Sequence, residues 1–262
     1  MSYEAIILEK TNNIGKLIFN RPKVLNAYNK TLSDEISKGF NELADDESVS
    51  VIVLTGTGRA FMAGADINMV NEWSALGELD KIKEALGKML NPNIFEDCPK
   101  LTIAAVNGLA FGMGCEIAMA CDFRIAVESA QFGQPEIKLG IIPGAGGSQR
   151  LLHLVGATRA LELITTGDSI SAQEALNIGL INRIVPDDKL QEEVAAFVKR
   201  IADKGPLAID VCKKLIYQAG GMSLRDGLEF ERDRFCELLI TEDAHEGTAA
   251  FIEKRRAKFK GK

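Results

Sequence analysis

The segment from residue 101 to 121, LTIAAVNGLAFGMGCEIAMAC, holds one charged side chain, that of Glu116, among Gly, Ala, Ile, Met and Cys. Its first part, LTIAAVNG (101–108), is rich in apolar residues and ends in the turn-forming pair Asn-Gly, which is typical of a strand. Gly112 and Gly114 follow, and the run CEIAMAC then predicts a helix with Glu116 in its first turn. A strand that leads through a glycine turn into a helix is a building unit of α/β folds.

Further strand and helix signals alternate around this unit. GKLIFN (15–20), SVSVIVLTG (48–56) and DFRIAV (122–127) predict strands, and TLSDEISKGFNELADD (31–46) predicts an amphipathic helix. The alternation favours an α/β core, which we assign to residues 1–200.

Helix signals dominate after about Gly144. Ser171 and Glu174 form a predicted capping box, and three helical runs are expected at 187–203, 205–219 and 222–259. We therefore expect residues 201–262 to form a helical region that packs on the core.

The composition excludes several classes of protein. The 262 residues carry a formal net charge of −6 from interspersed charges, which argues against duplex DNA as the main partner. The five cysteines have no C-x-x-C spacing, so neither a disulfide framework nor a zinc site is expected. The N-terminal sequence lacks the pattern of a signal peptide, and no apolar run approaches about 18 residues. We expect a cytoplasmic protein with no membrane or nucleic-acid partner.

Common catalytic motifs are also absent. The sequence contains no G-x-S-x-G elbow, no P-loop and no H-E-x-x-H, and its glycine clusters do not complete G-x-G-x-x-G. We therefore expect no metal ion and no nicotinamide or flavin cofactor.

Two carboxylates in apolar surroundings are the candidate catalytic groups. A helix N-terminus stabilises a charge such as that of Glu116 by about 0.3–1 kcal/mol, but burial among apolar residues costs more. Glu136 lies twenty residues further on, in the Gly- and Pro-broken segment AQFGQPEIKLGIIPGAGG. Burial can raise the pKa of a Glu toward about 6–7, so that one carboxyl donates a proton while the other accepts one. Each Glu alone could equally be structural, but together they favour acid–base chemistry.

Two glycine-rich turns are candidates for an oxyanion site. FMAGADI (61–67) and AFGMG (110–114) have small residues, so that backbone N–H groups can approach a carbonyl oxygen closely. From spacing alone, two turns packed together for steric reasons explain the pattern equally well.

Five motifs in order carry a resemblance to a known family. They are NRPKVLNA (20–27), AFMAGADI (60–67), AAVNGLAFGMGCEIAMACDFRIA (104–126), FGQPEIKLGIIPGAGGSQRL (132–151) and FIEKRRAKF (251–259). Over essentially its whole length the chain resembles the enoyl-CoA hydratase/isomerase (crotonase) superfamily, and its hydratases most of all. The resemblance implies a spiral of repeated ββα units, a helical C-terminal region that caps the site, and a homo-oligomer, either a trimer or a dimer of trimers.

The resemblance also implies roles for particular residues. The backbone N–H groups of Ala65 and Met113 would bind the thioester oxygen, Glu116 would activate water for attack at C3, and Glu136 would deliver a proton to C2. Isomerases of the family typically keep only the second Glu, so the intact pair favours hydration of an enoyl-CoA. No cofactor is implied, because coenzyme A is part of the acyl-CoA substrate. The residues implied in substrate and CoA binding are Lys23, Ala63, Ala65, Asp66, Ile67, Asn68 and Met113.

Two positions depart from the family's usual pattern. Met113 stands where the glycine-rich loop commonly has Gly, so its side chain could reshape the acyl pocket. Asn68 stands where many members have Lys, which leaves Lys23 and the C-terminal EKRRAK as candidate cations for the CoA phosphates. Alternative activities are enoyl-CoA isomerisation or C–C bond hydrolysis. A non-catalytic, RNA-binding role is disfavoured by the acidic net charge and the intact Glu pair.

Overall fold

The computed structural model describes residues 3–262 of the chain. The strands are β1 (Ile6–Thr11), β2 (Ile14–Phe19), β3 (Val51–Gly56), β4 (Ala60–Met62), β5 (Leu101–Val106), β6 (Leu109–Phe111), β7 (Phe123–Val127), β8 (Gln131–Gly133), β9 (Ser169–Ser171) and β10 (Arg183–Val185). The helices are α1 (Lys30–Asp45), α2 (Ile67–Ala75), α3 (Leu79–Gly87), α4 (Asn93–Asp97), α5 (Met113–Ala120), α6 (Gly147–Val155), α7 (Ala157–Thr166), α8 (Ala172–Asn177), α9 (Leu190–Lys199), α10 (Pro206–Ala219), α11 (Leu224–Leu239) and α12 (Glu242–Ile252). Short 3₁₀ helices cover Pro22–Val24, Pro135–Leu139 and Asp187–Lys189.

Two sheets build the α/β core. The larger sheet has the strand order β1-β2-β3-β5-β7-β10, and all its pairs except β1-β2 are parallel. The smaller sheet has the order β4-β6-β8-β9, with β4, β6 and β8 parallel and β9 antiparallel. Strands β3, β5 and β7 of the larger sheet are each followed by a strand of the smaller sheet and then by helical structure. The chain thus winds as the expected spiral of ββα units.

Apolar side chains explain why the central strands of the larger sheet, β3, β5 and β7, are buried on both faces. Residues 51–55 of β3 are all buried, as expected for a parallel strand covered on each side. Phe19 of β2 packs edge-on against Phe61 of β4 with ring centroids 5.1 Å apart, which joins the two sheets. Phe40 of α1 and Phe95 of α4 make a similar contact at 4.8 Å, which fixes α4 against the core.

The strands and the first helix expected from the sequence are present, with ends shifted by up to three residues. The capping box is confirmed, because the Ser171 hydroxyl accepts from the Glu174 N–H and the Glu174 carboxylate accepts from the Ser171 N–H. One helical prediction was wrong. The run at 222–259 is two helices, because Thr241 caps a new helix start by accepting from the Ala244 N–H, and helix α12 ends at Ile252.

Short strands in the second half of the chain were not predicted. Strands β9 and β10 have three residues each, and β10 extends the larger sheet beside β7. The expectation that strands give way to helices after Gly144 is therefore only partly correct.

A buried ion pair attaches the C-terminal helices to the core. The Lys213 ammonium of α10 donates to Asp122 Oδ2 at 2.9 Å and to the Phe95 carbonyl at 2.8 Å. Asp122 also accepts from the Thr102 hydroxyl at 3.0 Å and from the Tyr217 hydroxyl at 2.9 Å.

Among the helices described for residues 3–262, none has both the length and the apolar character that a membrane span requires.

Candidate active site

Two glycine turns meet where β4 and β6 end. These strands are parallel neighbours, so their carboxyl ends lie side by side. Gly64 follows β4 at φ +104° and Gly112 follows β6 at φ +50°, values that side-chain-bearing residues rarely adopt. A Cβ placed on Gly112 would stand 3.5 Å from the Gly64 Cα, so the two turns are in contact.

Each turn leaves one backbone N–H free. Tyr28 pairs with the first turn on both sides of Ala65, donating to the Gly64 carbonyl at 2.8 Å and accepting from the Asp66 N–H at 2.8 Å. In a parallel bridge of this kind the partner bonds the residues on either side of Ala65, so the Ala65 N–H takes no part in the pairing. Met113 is the first residue of α5, where a backbone N–H has no partner inside the helix. Within residues 3–262, neither N–H donates a hydrogen bond. The structure thus brings two free donors to adjoining turns.

Glu116 lies in the first turn of α5 and is 3% exposed. Its Oε1 accepts from the Ala145 N–H at 2.7 Å and from the Gly147 N–H at 2.8 Å. Burial raises the pKa of Glu116, while the two N–H donors and the Arg150 guanidinium act in the opposite direction. The carboxylate is therefore buried but has donors that favour its ionised form.

Glu136 approaches from the 3₁₀ helix Pro135–Leu139 and is partly buried. Its Oε1 lies 2.8 Å from the place where a Cβ on Gly112 would stand, so Gly112 leaves room for this carboxyl group. Burial, together with the negative charge of Glu116, raises the pKa of Glu136 to about 7. When the buried Gln134 amide turns its NH₂ toward this group, it donates to both carboxylate oxygens at 3.1 Å.

The two carboxyl groups therefore differ in the way that acid–base chemistry needs. Burial raises the pKa of both groups, but Glu116 accepts from two N–H donors that stabilise a negative charge, whereas Glu136 faces that charge and has a pKa raised to about 7. Both lie beside turns with free N–H groups, which can bind an oxygen that gains negative charge. One group can accept a proton while the other donates one.

The remaining residues implied by the resemblance lie nearby or on the surface. Asp66 caps α2 by accepting from the Asn68 N–H at 3.1 Å, and Asn68 and Ile67 are exposed. The Ala63 N–H donates to the Leu25 carbonyl at 3.0 Å, so that N–H is engaged within the fold. Lys23 is exposed in the 3₁₀ helix Pro22–Val24.

The C-terminal cations differ in their freedom. Arg255 of EKRRAK is bound to Glu246 by two hydrogen bonds of 2.6 and 2.8 Å and to Glu253 by one of 2.5 Å. Its charge is thus already balanced within the chain, which leaves Lys23 and the other basic residues of EKRRAK as candidates for a phosphate.

Sequence reasoning assigned no role to several residues that build the site. Asn26 is fully buried at φ +58°, and its amide donates to the carbonyls of Ala60 at 2.8 Å and Phe61 at 3.2 Å. It thereby fixes the strand that leads into the Gly64 turn. Arg150 and Gln134 likewise contact the carboxylates or their turn. All three lie within the motifs that resemble the family. The signal that could have indicated them is the presence of a polar residue inside such a motif.

Within residues 3–262, no group of three His, Cys, Asp or Glu side chains is placed to hold a metal ion.

Comparison with known proteins identifies the family. A family model described as enoyl-CoA hydratase/isomerase matches residues 9–262. A crotonyl-CoA hydratase of Syntrophomonas wolfei is 44% identical over 262 residues and covers 99% of both chains. A short-chain-enoyl-CoA hydratase of Clostridium acetobutylicum is 41% identical and covers 98% of this chain and 97% of its own. A solved enoyl-CoA hydratase of Bacillus anthracis is 37% identical with a TM-score of 0.90, covering 99% of this chain and 100% of that chain.

The spiral of ββα units is thus the fold of solved enoyl-CoA hydratases, as the sequence predicts. The chain belongs to the enoyl-CoA hydratase/isomerase family. The relatives named above are hydratases, a class of lyases, and the expectation of an enzyme of this class is confirmed.

Proposed function

We propose that the protein catalyses the reversible syn addition of water to a trans-2-enoyl-CoA, which gives a 3-hydroxyacyl-CoA. The observation that carries the proposal is the pair of carboxyl groups with unlike environments, Glu116 and Glu136, beside two turns with free N–H groups. The names of the relatives support the same reaction and an acyl-CoA thioester as substrate.

In this proposal the thioester oxygen binds the N–H groups of Ala65 and Met113. Glu116, as the ionised group, holds a water and removes its proton while the water oxygen forms a bond to C3. The C2–C3 π electrons move toward the thioester, and negative charge on its oxygen is stabilised by the two N–H donors, each worth about 2.7–4 kcal/mol in comparable oxyanion sites. Glu136 then donates its proton to C2. The addition is syn because both carboxyl groups act on the same face of the acyl chain.

The test is the loss of absorbance of the conjugated enoyl thioester, together with identification of the product. We expect Glu116→Gln and Glu136→Gln each to lower hydration by at least about a hundredfold, because proton transfer contributes about 10²–10⁴. Acyl-CoA binding should stay within a few fold of the wild-type value. Glu193→Gln, at an exposed position of α9, is the control and should keep full activity.

Three results would contradict the proposal. Near-normal turnover in either active-site variant removes that residue from the mechanism. A product with a migrated double bond indicates isomerisation, and loss of the acyl carbon chain by C–C cleavage indicates a hydrolase of the same fold.

We also propose that the protein forms a homo-oligomer built from trimers. The C-terminal helices expose large apolar side chains, which a monomer rarely leaves in contact with water. The most exposed of these are Ile216, Leu224, Ile240, Phe251 and Ile252. Light scattering of the purified protein tests the proposal, and a monomer at micromolar concentration would refute it.

A further inference from the structure

We propose that Arg150 is a positioning residue for Glu116, which it serves by fixing the turn of residues 143–147 to helix α4. The inference rests on the catalytic role proposed for Glu116. The backbone of this turn supplies both N–H groups that bind the Glu116 carboxylate. Whatever fixes the turn therefore also fixes the carboxylate.

Ala145 is held from two sides. Its N–H donates to Glu116 Oε1 at 2.7 Å, and its carbonyl accepts from Arg150 Nη1 at 2.9 Å. The guanidinium fills the space beside the next residue, because a Cβ on Gly146 would stand 2.0 Å from Arg150 Nη1. Residues 141–144 have no regular secondary structure, so no ladder of backbone hydrogen bonds holds this segment in place. The guanidinium contact therefore holds the turn in its stead.

The other side of the guanidinium is anchored on α4. Arg150 Nε donates to Glu96 Oε1 at 2.6 Å, and Nη2 donates to Glu96 Oε2 at 3.1 Å and to Asn93 Oδ1 at 2.6 Å. The pair is largely shielded, with the Arg150 side chain 12% exposed and that of Glu96 23% exposed. A two-pronged contact of this kind fixes the direction of a guanidinium as well as its position.

Helix α4 is attached to the rest of the fold by a side chain and by its backbone. The Phe95 side chain is fully buried against Phe40, and the Phe95 carbonyl accepts from the Lys213 ammonium at 2.8 Å. The residue next to it, Glu96, thus presents its carboxylate from a fixed backbone. Arg150 links this fixed helix to the turn that binds Glu116.

The contact also has an electrostatic side. Arg150 is the charged group that shifts the pKa of Glu116, and the charge of Glu116 in turn raises the pKa of Glu136, Tyr28 and the Cys115 thiol. Arg150 lowers the pKa of Glu116, and Glu96 balances part of that positive charge. Loss of Arg150 should therefore both loosen the carboxylate and raise its pKa.

The experiment measures kcat and KM for hydration of a short trans-2-enoyl-CoA. We expect Arg150→Gln to lower kcat about 10- to 100-fold, because a small misplacement of a reacting group has effects of this size, with KM changed less than about threefold. Arg150→Lys keeps the charge without the two-pronged contact and should fall between. Arg159→Gln is the matched control, because Arg159 pairs with Glu162 on the next helix with both side chains more than half exposed.

Two further measurements separate positioning from a general loss of structure. In the Glu116→Gln background, Arg150→Gln should cause no further loss of activity, because the group that it positions is already inactive. In the otherwise unchanged enzyme, Arg150→Gln should move the acidic limb of the kcat/KM profile to higher pH. Glu96→Gln should reproduce part of the loss, which keeps the test valid if the Arg150 variants fold poorly.

The possible failures can be told apart. Wild-type kcat in Arg150→Gln and Glu96→Gln, or an equal further loss in the Glu116→Gln background, overturns the role of Arg150 alone. Near-normal turnover of Glu116→Gln itself overturns the proposed function instead.

Discussion

The raised pKa of Glu136 predicts that this residue destabilises the folded protein above neutral pH. Its carboxyl group is partly buried and faces the negative charge of Glu116. Glu136→Gln replaces it with a neutral side chain of the same size. We therefore expect this variant to lose activity and, at alkaline pH, to become more stable than the wild type.

The sign and size follow from proton linkage. Because the pKa of Glu136 is about 7 in the folded state against an ordinary value of 4.5 for a glutamate, the folded protein binds the proton more tightly than the unfolded chain does. The resulting stabilisation is full below pH 4.5 and is lost as the pH rises through about 7. A change from 4.5 to about 7 corresponds to about 3 kcal/mol for a fully shielded group. Glu136 is partly exposed, so solvent screening reduces the expected effect to about 1–2 kcal/mol.

Urea unfolding at fixed protein concentration, at about pH 5 and about pH 8.5, measures the effect. The difference in unfolding free energy between Glu136→Gln and the wild type should grow by about 1–2 kcal/mol between the two pH values. Thermal melts should show the same trend, by about 2–8 °C for a chain of this size. Glu193→Gln should show no such growth. A difference that stays constant or shrinks toward alkaline pH would refute the reasoning about Glu136.

Two other substitutions test the packing around the site. Gly147→Ala should lower kcat at least about tenfold, because the new Cβ would stand 3.0 Å from Glu116 Oε1 and 2.6 Å from the Pro143 Cβ. The control is Gly87→Ala, where the new Cβ meets nothing within 4 Å, and it should leave the kinetics of hydration unchanged. Lys213→Met should lower the unfolding free energy by about 3–5 kcal/mol in urea titrations, because it leaves the buried Asp122 carboxylate unpaired. The control is Lys214→Met, at the exposed neighbouring residue, and it should change the unfolding free energy by less than about 0.5 kcal/mol.

Long strands could be predicted from the sequence and short strands could not. Strand β3 has a run of β-branched and apolar residues that is itself a strand signal. Strands β4, β6, β8 and β9 have three residues each, too few to show a period of two. Their conformation is set by pairing with neighbours that are distant in sequence, as in the register of Leu109 with Gln131. Helix α12 was missed as a separate element because Thr241 interrupts an amphipathic pattern that otherwise continues.

The candidate site was predictable only in part, for a related reason. Glu116 and Glu136 stand out because a charge among apolar residues is unusual, and Glu116 lies in the first turn of a helix, as the sequence predicts. The Arg150 to Glu96 contact joins residues 54 positions apart, and each is an ordinary charged residue of a helix. Nothing in the local sequence of either residue indicates the partner. The tertiary fold alone brings them together.

The arrangement explains how a turn without regular hydrogen bonding can hold a buried carboxylate in place. Burial of Glu116 favours its neutral form and raises its pKa, and the two N–H donors oppose this effect by stabilising the negative charge. Arg150 links the turn that carries the Ala145 and Gly147 N–H groups to α4, and Lys213 links α4 to helix α10. A contiguous path of contacts is not in itself evidence of energetic coupling. A lower kcat in Arg150→Gln and Glu96→Gln, with no further loss in the Glu116→Gln background, would supply that evidence and show that the reactivity of Glu116 depends on packing far from the substrate.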